Sequence, residues 1–204
     1  MQGVVGASST TNGHRERYLR SHEGIVRMAA RLIRERGIAG ASVDDVMQAA
    51  GLTRGGFYAH FRDKTAMVSE ALGYAFAEAR RNLLEIDATG DAWLRRASER
   101  YLSDAHLAEP GRGCAVPTLG ADIARGPAEL REAFTREVES VIDGVAEKLG
   151  GGAAGRKRAI AFMATSVGAV LLARAVSDAA RPGRVAFARE ILAAARAAVA
   201  PAKK

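Results

Sequence analysis

At 204 residues, with 30 Lys and Arg against 23 Asp and Glu, the chain carries a formal charge of +7, which permits a polyanionic partner without requiring one. The length suffices for one sizeable core or two smaller ones. Cys114 is the single cysteine, which excludes an intrachain disulfide and a Cys-rich metal site and fits a reducing compartment.

The charge is uneven: ten Lys and Arg and six Asp and Glu fall within residues 1–64, so this third of the chain holds four of the seven net positive charges. The opening MQGVVGASSTTNG lacks the apolar run of a signal peptide, and its Gly, Ser and Thr content reads as a disordered tail over residues 1–13. Arg15, Arg17 and Arg20 then lead into the first helix, either as solvated charges or as a basic arm. The longest uncharged run, Ala159–Ala173, is 15 residues long, short of the roughly 20 that a membrane span needs. No membrane partner and a cytoplasmic location are therefore expected.

A first helix is predicted over Ser21–Arg36, where Ile25, Met28, Ala29, Leu32 and Ile33 make one apolar stripe. Arg34 and Arg36 suit its C-terminal end, and Gly37 can take the left-handed conformation that stops it. Ser42 and Asp45 have capping-box spacing at the start of a second helix, which Gly51 ends. Thr53 is the expected cap of a short third helix reaching about His60, and Asp63 that of a long fourth, Lys64 to Glu85. A fifth is expected over Asp91–His106, then a loop at Glu109–Gly113 and a short sixth helix opened by Pro117. The seventh carries Leu130, Phe134, Val138, Val141, Ile142, Val145 and Leu149 at helical spacing. The eighth, about Arg156–Ala180, is apolar nearly all round, and the ninth spans about Gly183–Val199. Nothing alternates with period two, so the prediction is an all-α protein of about nine helices.

The stretch from Ser42 to Lys64, SVDDVMQAAGLTRGGFYAHFRDK, stands apart chemically. Two short helices joined through Gly51-Leu52 make a helix-turn-helix, with Leu52, Phe57 and Phe61 inside and Thr53, Arg54, Gly55 and Gly56 free to face out. Glycine inside so short a helix costs about 1 kcal/mol relative to alanine. Fraying explains that loss blandly; close approach of the backbone to a groove wall explains it functionally. Arg54 could then reach a guanine edge or a phosphate and Thr53 a phosphate or a thymine methyl. Tyr58, His60, Lys64 and the capped amides at Ser42 suit the flanking phosphates.

Ala50–Lys64, AGLTRGGFYAHFRDK, resembles the signature of the TetR family of transcriptional regulators, and the likeness extends over about Ser21–Ala71. The resemblance implies a helix-turn-helix DNA-binding domain, here residues 14–66, and a larger helical regulatory and dimerisation domain, residues 67–204. It further implies a homodimer formed by the last two helices, a palindromic double-stranded DNA operator, and a cavity for a small-molecule effector that releases the DNA. By position, base readout falls to Thr53–Gly56 and phosphate contacts to Ser42, Tyr58, His60 and Lys64. Position 42 is often Thr in that family and position 56 a larger residue such as Thr, so base preference stays open.

The apolar surplus of the eighth helix, with Gly168 and several alanines for close approach, gives dimerisation a physical basis as well. Aromatic and soft side chains, Phe76, Trp93, Tyr101, Phe134, Phe162 and Met163, are candidates to line a pocket, though each alone reads as core. Cys114, after a Gly-Arg-Gly turn and near Arg112, joins them as an inert cysteine or as an exposed, acidified thiol able to sense oxidants or electrophiles. No phosphate loop, metal-ligand cluster or nucleophile triad is recognisable, so no cofactor, metal or enzymatic activity is expected. An activator, an effector-independent DNA-binding protein, or a ligand-binding bundle without DNA function are the alternatives.

Overall fold

The computed structural model describes residues 8–200, which form nine α-helices and two 3-10 segments, with no strand among them. The all-α expectation therefore holds.

Helix α1 (Ser8–Gly40) begins well before the expected Ser21. Residues 8–13, expected in a disordered tail, are helical, while residues 1–7 lie outside the described residues. The extension has an anchor that composition does not reveal: the Tyr18 ring stacks on His60, with centroids 4.6 Å apart. Gly37 breaks the helix as predicted, at φ 75°, ψ 172°. A side chain there would be strained and would also press on the Asp122 carboxylate, 2.9 Å from the Cβ position.

Helix α2 (Val43–Ala49) turns through Gly51 at φ 71° into a 3-10 segment, Arg54–Ala59. An α-helix capped by Thr53 was the expectation, but the Thr53 side chain makes no capping bond. The segment instead closes three-residue bonds, Gly56 N to Thr53 O (3.1 Å) and His60 N to Phe57 O (2.9 Å). Six residues including two glycines are too few to establish the wider α ladder.

Helix α3 (Lys64–Leu84) starts on Asp63, whose carboxylate accepts from Ala66 N at 2.8 Å. The single helix expected over 91–106 is two, α4 (Gly90–Tyr101) and α5 (Asp104–Ala108). Leu102 leaves helical geometry (φ −95°, ψ 43°), and Ser103 caps the new start by accepting from His106 N. A 3-10 turn (Pro110–Arg112) leads to α6 (Val116–Ala124), with Pro117 in its first turn, and then to α7 (Ala128–Lys148). Helix α8 (Gly152–Val176) starts and stops about a turn earlier than expected, and α9 is Pro182–Val199.

Helices α3, α7, α8 and α9 pack in succession, each on the next, while α1 lies against α2, α3 and α6. One continuous core results, with Trp93, Phe76 and Phe162 fully buried, each such side chain worth on the order of 2 kcal/mol on transfer from water. Helix α8 is long and apolar enough in composition to cross a membrane, yet it packs between α7 and α9. Part of its apolar surface stays uncovered: Ile160, Leu171 and Leu172, with Phe187 of α9, are each about half exposed.

Candidate nucleic-acid interface and interior cavity

The head begins at a fully formed capping box. Ser42 Oγ accepts from Asp45 N (3.0 Å), and Asp45 Oδ2 accepts from both the amide (3.1 Å) and the hydroxyl (2.6 Å) of Ser42. The Ser42 hydroxyl, then its amide, hold the Asp45 carboxyl below the usual carboxylate range. Ser42 itself is exposed.

Across the turn, Phe57 and Phe61 are buried and stack with centroids 5.6 Å apart. Their burial turns the rest of the 3-10 segment outward. Thr53, Arg54 and Gly55 are exposed, and Tyr58 is 74% exposed, edge-on to Phe57. A Cβ at Gly55 would meet nothing within 4 Å, and one at Gly56 would only touch Met47 Cε at 3.6 Å. Internal packing therefore does not require either glycine.

Three residues make contacts that sequence pattern does not supply. Arg54 Nη1 donates to Asp44 Oδ2 (2.6 Å), an ion pair with side chains 72% and 55% exposed; such a pair is worth about 0–1 kcal/mol and is easily exchanged. Lys64 Nζ donates to Ile38 O (2.6 Å), tying α3 to the chain just past Gly37. His60 is stacked between Tyr18 and the His22–Phe61 pair rather than standing free, and its Nδ1 is buried with no partner. Burial, then the neighbouring His22, lowers the His60 pKa, favouring the neutral ring.

The head joins the remaining helices through specific polar contacts. Ile38 N donates to Asp122 Oδ2 on α6 (3.0 Å), and Arg62 pairs with Glu129 on α7 (2.6 Å). Arg34 is 3% exposed and donates to Ala30 O (2.8 Å), Gly113 O (3.1 Å) and Glu78 Oε2 (2.7 Å). Sequence reading assigned Arg34 to the helix end as a charge for the dipole and missed its burial.

A cavity of about 320 Å³ lies between α3, α4, α5 and the turn before Cys114. Tyr101 and Cys114 line it; Phe76, Trp93, Phe134, Phe162 and Met163 do not. Those five are core: Phe76 meets Phe134 edge-on at 5.5 Å, Trp93 meets Phe162 at 5.6 Å and donates to Leu83 O, and Met163 is buried. The cavity wall includes His106, which pattern alone did not single out. His106 Nδ1 donates to Tyr101 O (2.6 Å) while Nε2 accepts from Cys114 N (3.0 Å), and the acceptor role of Nε2 requires the neutral ring.

The exposed, acidified thiol considered for Cys114 is not what the fold provides. Cys114 is buried, and burial pushes its pKa up, outweighing Tyr101 and the cations Arg174 and Arg34. Arg112, expected to favour a thiolate, is 85% exposed and leans toward Glu109 instead.

Burial also lowers the His106 pKa from the ordinary 6.5. The neutral ring's contribution to stability is therefore intact above that value and is lost as pH falls toward the depressed one. The melting temperature is expected to drop on acidification from about pH 7 to about pH 5, and to drop less in His106→Gln. His60, shifted in the same direction, continues to contribute in both proteins. Identical pH slopes for the two proteins would contradict this role for His106.

Taken together, a capped helix, a glycine-pinned turn and an outward-facing Thr-Arg-Gly-Gly segment on an all-helical body define a helix-turn-helix protein. The chain matches the model of bacterial regulatory proteins of the tetR family over residues 25–71. It is similar to the transcriptional regulator AcuR of Cereibacter sphaeroides, 27% identical over 125 residues, or 59% of this chain and 57% of AcuR. The alignment thus spans little more than half of that relative's length. Among solved structures, E. coli NemR in its reduced form shares the fold at a TM-score of 0.70 and 21% identity, covering 90% of this chain and 99% of NemR. AibR, solved with isovaleryl coenzyme A and operator DNA, matches at a TM-score of 0.60 and 16% identity, covering 90% of this chain and 100% of AibR.

Proposed function

We propose that the chain is a dimeric, sequence-specific DNA-binding repressor that a small molecule releases from a palindromic operator. The outward-facing backbone at Gly55, with half-buried Gly56 next to it and Arg54 and Tyr58 exposed beside it, carries this reading. Absent side chains let the 3-10 segment approach the groove wall, so that Thr53 and Arg54 reach base edges. Ser42, Tyr58, His60 and Lys64 flank them as phosphate donors, Ser42 with the amides at the start of α2. Arg54 exchanges its weak pair with Asp44 for the DNA. Two heads about 34–36 Å apart read successive turns of one duplex face, which requires a dimer; the half-exposed apolar side chains on α8 and α9 supply its interface. The head comprises residues 14–66 and the regulatory part residues 67–204. AibR shows that a protein of this fold holds a small-molecule conjugate and operator DNA together. Here the cavity takes the effector.

Selection from a random DNA pool tests the reading: enrichment of a two-fold symmetric site is expected, and no enrichment overturns it. Gel shifts on the gene's upstream region with and without ligands separate a released repressor from an activator or an effector-independent binder. Arg54→Ala is expected to lose sequence preference by about 1–3 kcal/mol at one base pair. Lys64→Ala is expected to weaken all sequences alike and to flatten the salt slope by about one. Equal loss of specificity from both would reassign the contacts.

A further inference from the structure

The cavity is an open cleft, with the exposed side chains of Arg100, Glu109 and Arg112 at its rim. Its walls are mainly apolar, with Ala79, Leu83 and Ala105 among the lining residues, but its charges are unbalanced. Arg100 and Arg112 line it, against the single carboxylate of Glu109. Glu109 is 61% exposed and stands 3.7 Å from Arg112, a weak surface pair that a ligand can replace. Arg100 is bonded to the neutral Asn82 Oδ1 (3.2 Å) rather than to a carboxylate.

Two enclosed donors lie behind this wall: the Tyr101 hydroxyl, beside the Cys114 thiol, and Nη1 of Arg174, a residue outside the lining. Arg174 packs against the wall from behind, donating through Nη2 to His106 O (2.7 Å). Neither donor opens into the cavity, so the cations on its wall, Arg100 and Arg112, carry the recognition.

We propose that this cavity binds a small organic acid, its apolar body against Leu83 and Ala105 and its carboxylate between Arg100 and Arg112, with Arg174 reinforcing the positive field from behind. A carboxylate accepts through two oxygens and carries the charge that the guanidinium groups lack. At about 320 Å³ the space lies at the small end of ligand pockets, which favours a compact acid over a large conjugate. The inference rests on the proposed effector reading only for its regulatory meaning, since binding is measurable without DNA.

Isothermal titration of the full chain with benzoate and hexanoate, against benzamide and hexanamide, tests it. Each acid is expected to bind at least about tenfold tighter than its amide. The double variant Arg100→Gln/Arg112→Gln is expected to erase that preference while still binding the amides. Circular dichroism and melting confirm that the variant is folded. Equal affinity for acid and amide, no binding of any of the four, or an acid preference that survives the double variant each overturns the inference. Operator affinity with and without benzoate is read separately. Acid binding that leaves DNA affinity unchanged supports the anion site and overturns the effector reading of this cavity.

Discussion

Replacing Arg34 with methionine is expected to lower unfolding stability by about 3 kcal/mol, the value for breaking a buried ion pair from one side. The guanidinium is 3% exposed and serves three acceptors on three segments: Ala30 O in its own helix, Gly113 O beside the cavity, and Glu78 Oε2 on α3. Its removal strands the Glu78 carboxylate, which at 30% exposure recovers only part of its hydration, and leaves Gly113 O unpaired. In urea the midpoint should fall with an unchanged m-value, since the fold and the surface exposed on unfolding stay the same. Arg34→Met/Glu78→Met should recover part of the loss, because apolar groups replace a pair whose desolvation was never fully repaid. A single-variant loss under about 1 kcal/mol would mean the contacts contribute little beyond packing. Gly113 lines the cavity and Arg34 lies on the helix that supports the head. Even a Met variant that remains folded is therefore expected to show weaker coupling between cavity occupancy and DNA affinity.

Arg34 also marks where sequence reading stops. The head was legible because its signals are local. Ser42 and Asp45 sit at capping-box spacing, Gly37 and Gly51 occupy positions that demand positive φ, and the alternation of Phe57 and Phe61 with polar neighbours assigns an inside and an outside. Helical periodicity likewise placed α7 and α9 to within a residue or two. The misses are long-range. Arg34 finds Gly113 79 positions away, and Lys64 finds Ile38 26 positions away. Tyr18 makes helix of an expected tail by stacking on a ring 42 residues further on. No window along the chain contains those partners. The pocket shows the same limit: choosing aromatics selected core, because large apolar side chains are what a core consumes first. The informative groups are instead enclosed polar atoms without partners, the Tyr101 hydroxyl and Nη1 of Arg174, which only packing can identify.

Charging the uncovered face of α8 and α9 is expected to have the larger functional effect. Ile160 and Leu171 lie eleven residues apart, three helical turns, and so share one stripe of α8. Gly168 lies near that stripe, and a Cβ there would meet nothing within 4 Å, so a second helix can approach the backbone closely. Ile160, Leu171, Leu172 and, on α9, Phe187 are 46%, 50%, 56% and 51% exposed. A cluster of large half-exposed apolar side chains on adjacent helices is characteristic of an interface that the monomer leaves uncovered. In the proposed dimer a second copy of the chain would cover it, because a two-fold axis uses the same patch twice. Leu171→Glu/Phe187→Glu should therefore convert a dimer into a monomer by light scattering, with the monomer's helical signal retained since neither side chain belongs to the core. Operator affinity should fall by at least about a hundredfold, because each head then binds its half-site alone and the effective concentration supplied by the tether is lost. Affinity for an isolated half-site should be unchanged, since no residue of the head has been altered. A wild-type chain that sediments as a monomer, or a charged variant that remains dimeric, would place the interface elsewhere. Wild-type protein that partitions into lipid vesicles while remaining monomeric would assign the same face to a membrane surface.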